Sequence, residues 1–217
     1  QSFFNAWRQF NKILKQRNAL LKSRPHNYAE QIKFWDVEFV KVADQINIAR
    51  KAYIERFNAY FFDKIVGQIP IFSGLELRYD AGWKEDLAST LKSNFERDVK
   101  LGYTSKGPHK ADFSFYINGH SIENIFSRGQ LKLLLYALKI TQNTLIETET
   151  KKQSILLIDD LPSELGEETM TSVAELLKLC QSQLFITAIT AESISAVVEP
   201  IQREKKMFHV KHGSLTT

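Results

Sequence analysis

Cysteine is almost missing from this sequence. Cys180 is the only one in 217 residues, so no intrachain disulfide can form and no zinc site can be built from thiolates. That usage fits a reducing compartment, and the cytoplasm is expected. Long apolar runs are missing too. No stretch approaches the roughly 20 residues that span a bilayer, so no membrane partner is expected. Arg8, Asn11, Lys12 and Lys15 interrupt the apolar residues near the start, so no signal peptide is expected there. Of the five histidines, His26, His120, His209 and His212 show no pairing at metal-ligand spacing and read as surface or loop residues. His109 sits in a Gly-Pro turn and reads as bonding that turn, with nucleotide contact as the alternative. The sequence alone supports no Cys–His or Ser–His–Asp arrangement. The one G-x-x-x-x-G spacing, Gly102 to Gly107, continues with Pro108 and His109 where a phosphate loop needs Lys and Ser or Thr.

What is there is ordinary for a folded protein: 43% hydrophobic and 25% charged residues argue against disorder. The net charge of +4 mildly favours approach to a polyanion, although many proteins without a nucleic-acid partner are as basic. Residues 2–66 hold almost no Gly or Pro. Phe3, Trp7, Phe10, Leu14 and Leu21 share one helical face, which breaks near Pro25. Ile32, Trp35, Phe39, Val42, Ile46, Ala49, Tyr53, Phe57 and Tyr60 then alternate in steps of three and four, the pattern of a helix packed along another. The expectation is an antiparallel helical hairpin, an arm over residues 1–70, with an ordinary helical layer over a domain as the alternative. Gln1 falls directly inside this pattern, so a piece of a longer protein with an upstream part is expected.

After Gly67 strands and helices alternate. Leu75–Tyr79, Asp112–Asn118, Ile155–Ile158, Leu184–Ile189 and Met207–Lys211 read as strands. Trp83–Leu101, Leu131–Ile140 and Glu167–Leu179 read as helices. Residues 71–217 therefore form an α/β lobe. The short apolar run Ile155–Ile158 predicts a central strand covered on both faces.

Two segments could carry chemistry. Ile155–Ile158 ends in Asp159-Asp160, which places two carboxylates at the edge of a sheet where α/β proteins put ligands. One carboxylate can hold Mg²⁺ through its water shell and the next can polarise a water for phosphoryl transfer. The same pattern also arises from a strand followed by a helix cap. Ser127-Arg128-Gly129-Gln130 opens a Leu-rich helix, and its hydroxyl, bare N–H groups and helix dipole suit a phosphate. A plain N-cap explains the serine equally well.

Their order decides more than either alone. A Ser-x-Gly-Gln helix start, then an apolar strand ending in Asp-Asp, is the order of the second lobe of an ABC-type ATPase. Phe95-Glu96-Arg97-Asp98, Gly107-Pro108-His109-Lys110-Ala111-Asp112, Phe126-Ser127-Arg128-Gly129-Gln130 and Leu157 through Leu165 resemble the RecF family in that order. The resemblance covers nearly the whole chain, most strongly from Trp83 to Glu192. It implies the C-terminal part of an ABC-type, SMC/RecF-like ATPase head with a helical arm. The head would dimerise on ATP, with composite sites between protomers.

Carried onto these residues, the resemblance implies that Ser127 and the Gly129 amide, with Arg128 and Gln130, contact ATP bound to the other subunit. Asp159 would help hold Mg²⁺, Asp160 would position the attacking water, and Ser163-Glu164-Leu165 would link the two sites. It also implies a slow, switch-like ATPase, duplex DNA beside single-stranded gaps, and work with RecR and RecO to load RecA. Arg97, Lys100, Lys106 and Lys110 could contact DNA phosphates.

The pattern has departures. Gly166 stands where the communication loop normally has an aspartate. Thr187-Ala188-Ile189-Thr190 holds no switch histidine, and either threonine could take its role. With no phosphate loop, the chain alone should not hydrolyse ATP. An SMC-like head and a non-catalytic scaffold are the alternatives; the short arm argues against the first and the Asp159–Asp160 pair against the second.

Overall fold

With one proline and no glycine between residues 2 and 66, the backbone is free to run as helix, and it does. In the computed structural model, which describes residues 2–162, 165–211 and 213–216, α1 spans Ser2–Ser23 and α2 Tyr28–Tyr60. Arg24, in the left-handed region at φ 47°, and Pro25 separate them. Arg17 of α1 meets Asp36 of α2, and Phe10 meets Phe39, so the two helices run antiparallel. The expected hairpin is there. Its seam is Phe10 and Ile13 against Phe39, Val42, Ala43 and Ile46, closed by Leu87 and Leu91. Phe3 lies beyond the seam and is exposed.

The chain divides into two compact units, Gln1–Ala59 with Ser73–Asn124, and Tyr60–Phe72 with Ile125–Thr217. Residues 73–124 thus group with the hairpin, whereas the texture of the sequence divides the chain once, near residue 70.

In the first unit β1 (Leu75–Asp80) pairs antiparallel with β2 (Asp112–Ile117), Leu75 opposite Ile117 and Asp80 opposite Asp112. β3 (His120–Ser121) returns through Asn118-Gly119, at φ 50° and 80°. Two successive positive φ values give a two-residue hairpin the twist its strands require. The single helix expected over Trp83–Leu101 is instead two, α3 (Leu87–Ser93) and α4 (Phe95–Leu101). Asp86 caps α3 by accepting from the Ser89 amide at 2.7 Å, so Trp83 is left outside. Asn94 breaks the run at ψ 3° and turns its amide back onto the Thr90 carbonyl. Gly102 ends α4 at φ 73°. At Gly107, φ 132°, a Cβ would lie 2.8 Å from Phe39 Cζ. Backbone geometry thus accounts for both glycines of the near-match to a phosphate loop.

His109 bonds its turn: Nε2 donates to the Thr104 carbonyl at 2.9 Å, and the ring lies 5.9 Å from that of Phe10. Nδ1 is buried without a partner. Burial pushes this imidazole below the usual histidine value of 6.5, although the bond to Thr104 opposes the shift. The unfolded chain therefore binds the proton more readily. Stability from the neutral ring is present above pH 6.5 and falls as the pH drops below it. Urea unfolding midpoints should decline as the pH falls below 6.5, and His109→Gln should flatten that slope. An equal slope in the variant would show that His109 does not cause it.

In the second unit α2 gives way to a π-helical turn (Phe61–Ile65) and two 3₁₀ turns. α5 (Arg128–Thr150) packs on α6 (Glu167–Leu179), and α6 on α7 (Ala191–Val198). Leu133, Leu134, Ala137 and Ile140 of α5 and Val173, Ala174, Leu176 and Leu177 of α6 are buried. β4 (Ile155–Ile158) pairs parallel with β5 (Gln183–Ile186), Ile155 beside Gln183 and Ile158 beside Ile186. Glu147 anchors the near end of both strands, accepting from the Ser154 amide at 2.7 Å and the Ser182 hydroxyl at 2.8 Å. β6 (His209–Lys211) and β7 (Ser214–Thr216) form a separate antiparallel pair.

Three sequence expectations change here. β4 is not covered on both faces: Ile158 is buried, but Ile155 is 61% and Leu157 73% exposed. Alternate side chains of a strand point to opposite faces, so Ile155 and Leu157 share one face with Phe185 of β5, and that face stays open. β5 ends at Ile186 rather than Ile189. The last expected strand begins at His209, leaving Met207 and Phe208 outside it and exposed.

Candidate nucleotide-binding site

Ser127 has extended backbone, φ −65° and ψ 165°, and caps α5. Its Oγ accepts from the Gln130 amide at 3.3 Å, while its own amide donates to Gln130 Oε1 at 2.8 Å. This reciprocal capping box assigns Gln130 to the helix start itself. The cap uses a lone pair of Ser127 and leaves the hydroxyl proton to donate elsewhere. The amides of Arg128 and Gly129 belong to the first turn, where N–H groups have no intrahelical acceptor. Gly129 is buried, Arg128 exposed. The plain cap and the phosphate-binding helix start are thus compatible in one geometry.

Asp159 and Asp160 follow β4 and are exposed. Asp160 takes φ 47°, a left-handed conformation that costs an L-residue about 1–2 kcal/mol and that aspartate tolerates better than most. Thr187, the first residue after β5, holds this corner. Its Oγ1 donates to Asp159 Oδ1 at 2.5 Å and accepts the Asp160 amide at 2.8 Å. Its own amide donates to the Ile158 carbonyl at 3.0 Å, and its carbonyl accepts the Leu161 amide at 3.2 Å. Lys132, one turn into α5, donates to the Asp160 carbonyl at 3.3 Å, which ties the helix that Ser127 starts to the end of β4. Tyr136, further along α5, has its phenol pushed above the usual value by burial and also by the Asp160 charge.

No group of three or more His, Cys, Asp or Glu capable of holding a metal exists among the described residues. A single exposed carboxylate with one oxygen committed to Thr187 suits Mg²⁺, which keeps several waters and is held by one or two carboxylates plus substrate phosphates. The donor set fits a cation that arrives with a nucleotide.

Ser163, with Glu164, lies outside the described residues. Gly166 is the N-cap of α6, extended at φ −77° and ψ 165°, and offers no side chain there. Thr190 caps α7 by accepting from the Ser193 amide, so of the two threonines it is Thr187 that touches the carboxylates. Neither the Thr187 contact nor that of Lys132 is read from the sequence. Parallel register could have found the first: one step past Ile158 and Ile186, Asp159 stands beside Thr187.

No family model matches the chain. The DNA replication and repair protein RecF of Pseudoalteromonas translucida is 65% identical over 217 residues, 99% of this chain and 60% of that protein. The chain belongs to the RecF family. RecF of Histophilus somni is 41% identical over 217 residues, 99% of this chain and 59% of that protein. This RecF-family chain therefore spans about 60% of the length of the relatives it matches. Among solved structures, the recombination mediator protein RecF-ATPrS in the RecFOR pathway aligns with a TM-score of 0.74 at 27% identity, over 98% of this chain and 58% of that one. RecF-ATP in the same pathway aligns at 0.70 and 27% identity, over 88% and 54%. The α/β fold is that of the matching part of these RecF structures.

Proposed function

We propose that this chain supplies one half of an ABC-type ATP site to a protein of DNA replication, repair and recombination. The observation that carries it is a Ser127-capped helix and an Asp159–Asp160 strand end, linked through Lys132, in a RecF-family chain. Solved relatives are RecF-ATPrS and RecF-ATP, which supports ATP as the nucleotide.

In the proposed site Ser127 Oγ–H and the Gly129 N–H donate to the γ-phosphate of ATP bound by a second protomer, at the positive end of α5. Arg128 adds charge at the rim. The free oxygen of Asp159 holds the water shell of Mg²⁺. The metal supplies charge neutralisation at the phosphate oxygens. Asp160 accepts a hydrogen bond from the attacking water and orients it. Its side chain is one methylene shorter than the glutamate common at this place, which fits slow turnover and a switch. Ser163 belongs to the link between the two sites.

The open apolar face of Ile155, Leu157 and Phe185 is the surface for the remaining part of the protein, which carries the phosphate loop. ATP closes a dimer on duplex DNA beside single-stranded gaps, hydrolysis reopens it, and RecR and RecO act with it toward RecA loading. The α1–α2 hairpin serves as an arm. On α1, Arg8, Lys12, Lys15 and Lys22 are exposed, step along one side over about 21 Å, and share the helix with no Asp or Glu. They join Arg97, Lys100, Lys106 and Lys110 as groups suited to phosphates.

ATP hydrolysis by the full-length protein, with and without duplex DNA, tests this function. Slow turnover stimulated by duplex is expected. ATP binding without turnover in either condition would replace the switch with a scaffold that uses nucleotide only to assemble. For the stripe, Lys12→Glu with Lys15→Glu should weaken duplex binding and lower the slope of log affinity against log salt by about 2. Anisotropy titrations at several salt concentrations measure this; an unchanged slope would move the DNA surface off α1.

A further inference from the structure

We infer that Thr187 is a positioning residue for the Asp159–Asp160 pair: its hydroxyl sets the free oxygen of Asp159 toward the metal and fixes the corner from which Asp160 acts. The inference rests on the ATP site proposed above. It takes the bonding of one residue further than that site requires.

A threonine hydroxyl has one proton. Here it goes to Asp159 Oδ1, and the lone pair behind it receives the Asp160 amide. The same residue accepts the Leu161 amide and donates to the Ile158 carbonyl through its main chain. Residue 187 therefore bonds four consecutive residues, 158 to 161, across the turn where the strand ends. The two main-chain bonds follow directly after the paired register of β4 and β5 and do not depend on the side chain. The two side-chain bonds depend on the hydroxyl alone.

The hydroxyl acts on both carboxylates at once. An exposed aspartate samples several rotamers, and ordering it on binding costs entropy. A bond to one oxygen removes part of that freedom beforehand and leaves the other oxygen for the cation's water shell. The Asp160 amide, with φ at 47°, sits outside the ladder and has the hydroxyl as its acceptor. Without it the left-handed corner loses a tether, and the Asp160 carboxylate loses its fixed origin.

Valine has nearly the shape of threonine and lacks only the hydroxyl, whereas serine keeps it. The test places Thr187→Val, Thr187→Ser and Asp159→Asn in the full-length protein. It measures the Mg²⁺ concentration that gives half-maximal binding of a fluorescent ATP analogue, then turnover, then the melting temperature. Partners that orient a metal ligand typically contribute about 10- to 100-fold to metal affinity. Thr187→Val should therefore raise the Mg²⁺ requirement by about tenfold and lower turnover. Thr187→Ser should restore both to within about threefold of the native protein.

A folded Thr187→Val protein with a native Mg²⁺ requirement, or a serine variant as impaired as the valine one, overturns the inference. Thr187→Ala answers the same question should the valine variant not fold. Asp159→Asn separates the two levels. If it raises the Mg²⁺ requirement while Thr187→Val does not, only the role of Thr187 fails. If neither does, the metal site itself is wrong.

Discussion

Arg17→Ala should destabilise this chain by about 3–5 kcal/mol, the usual consequence of removing one partner from a buried ion pair. Arg17 is fully buried. Nε donates to Asp36 Oδ1 at 2.6 Å, and Nη1 donates to Asp98 Oδ2 and to Thr104 Oγ1, each at 2.9 Å. Asp98 is fully buried as well and also accepts from the Ser105 amide and hydroxyl. Thr104 in turn donates its amide and hydroxyl to Asn18. One side chain thus joins α1, α2, α4 and the loop after it. Alanine would leave the Asp98 charge buried with only two neutral donors. Lysine should rescue little, because one ammonium cannot reproduce a planar fork that reaches three acceptors. Urea unfolding of the native and variant chains checks this. A loss below about 1 kcal/mol, typical of exposed ion pairs, would mean the network is not closed as described.

Asp160→Asn should cut ATP turnover in the full-length protein about a hundredfold or more, the lower range for losing a positioned acid–base group. ATP binding should persist, and the closed dimer should accumulate. Asparagine is an informative replacement here. It tolerates the left-handed backbone at least as well as aspartate, and its amide still donates to Thr187. The corner therefore stays built, and only the negative charge of the carboxylate is lost. Single-turnover hydrolysis and sedimentation with ATP measure the two halves of the expectation. Turnover within about threefold of native would remove Asp160 from the chemistry.

The parts of this structure that can be read from sequence are those with a local cause. The hairpin follows from apolar steps of three and four interrupted at Pro25, and both helices form where expected. The Ser127 cap follows from a serine three residues before a glutamine, and the Asp159–Asp160 corner from an apolar run that stops at two charges. Other features depend on neighbours that sequence does not name. Trp83–Leu101 carries one amphipathic pattern, yet Asp86 and Asn94 have side chains that compete for backbone donors and acceptors and split it into two helices. The apolar run of β4 looks the same whether one face is covered or two, so the exposure of Leu157 depends on how many layers surround it. Arg17 reads as one more cation on a basic helix. Its burial depends on Asp98, 81 residues away. Thr187 reads from sequence only as one of two threonines at the switch position, and its bonds to the carboxylates arise because β5 lies in parallel register beside β4.

The central claim is that Ser127 and Asp160 serve the same ATP molecule from different protomers. Mixing two inactive full-length variants, Ser127→Arg and Asp160→Asn, tests it most directly. A mixed dimer would pair the intact Ser127 of one protomer with the intact Asp160 of the other at one site and combine both defects at the second. The account predicts that turnover absent from each variant alone reappears on mixing. Mixed dimers that form with ATP and stay as inactive as either parent would contradict it.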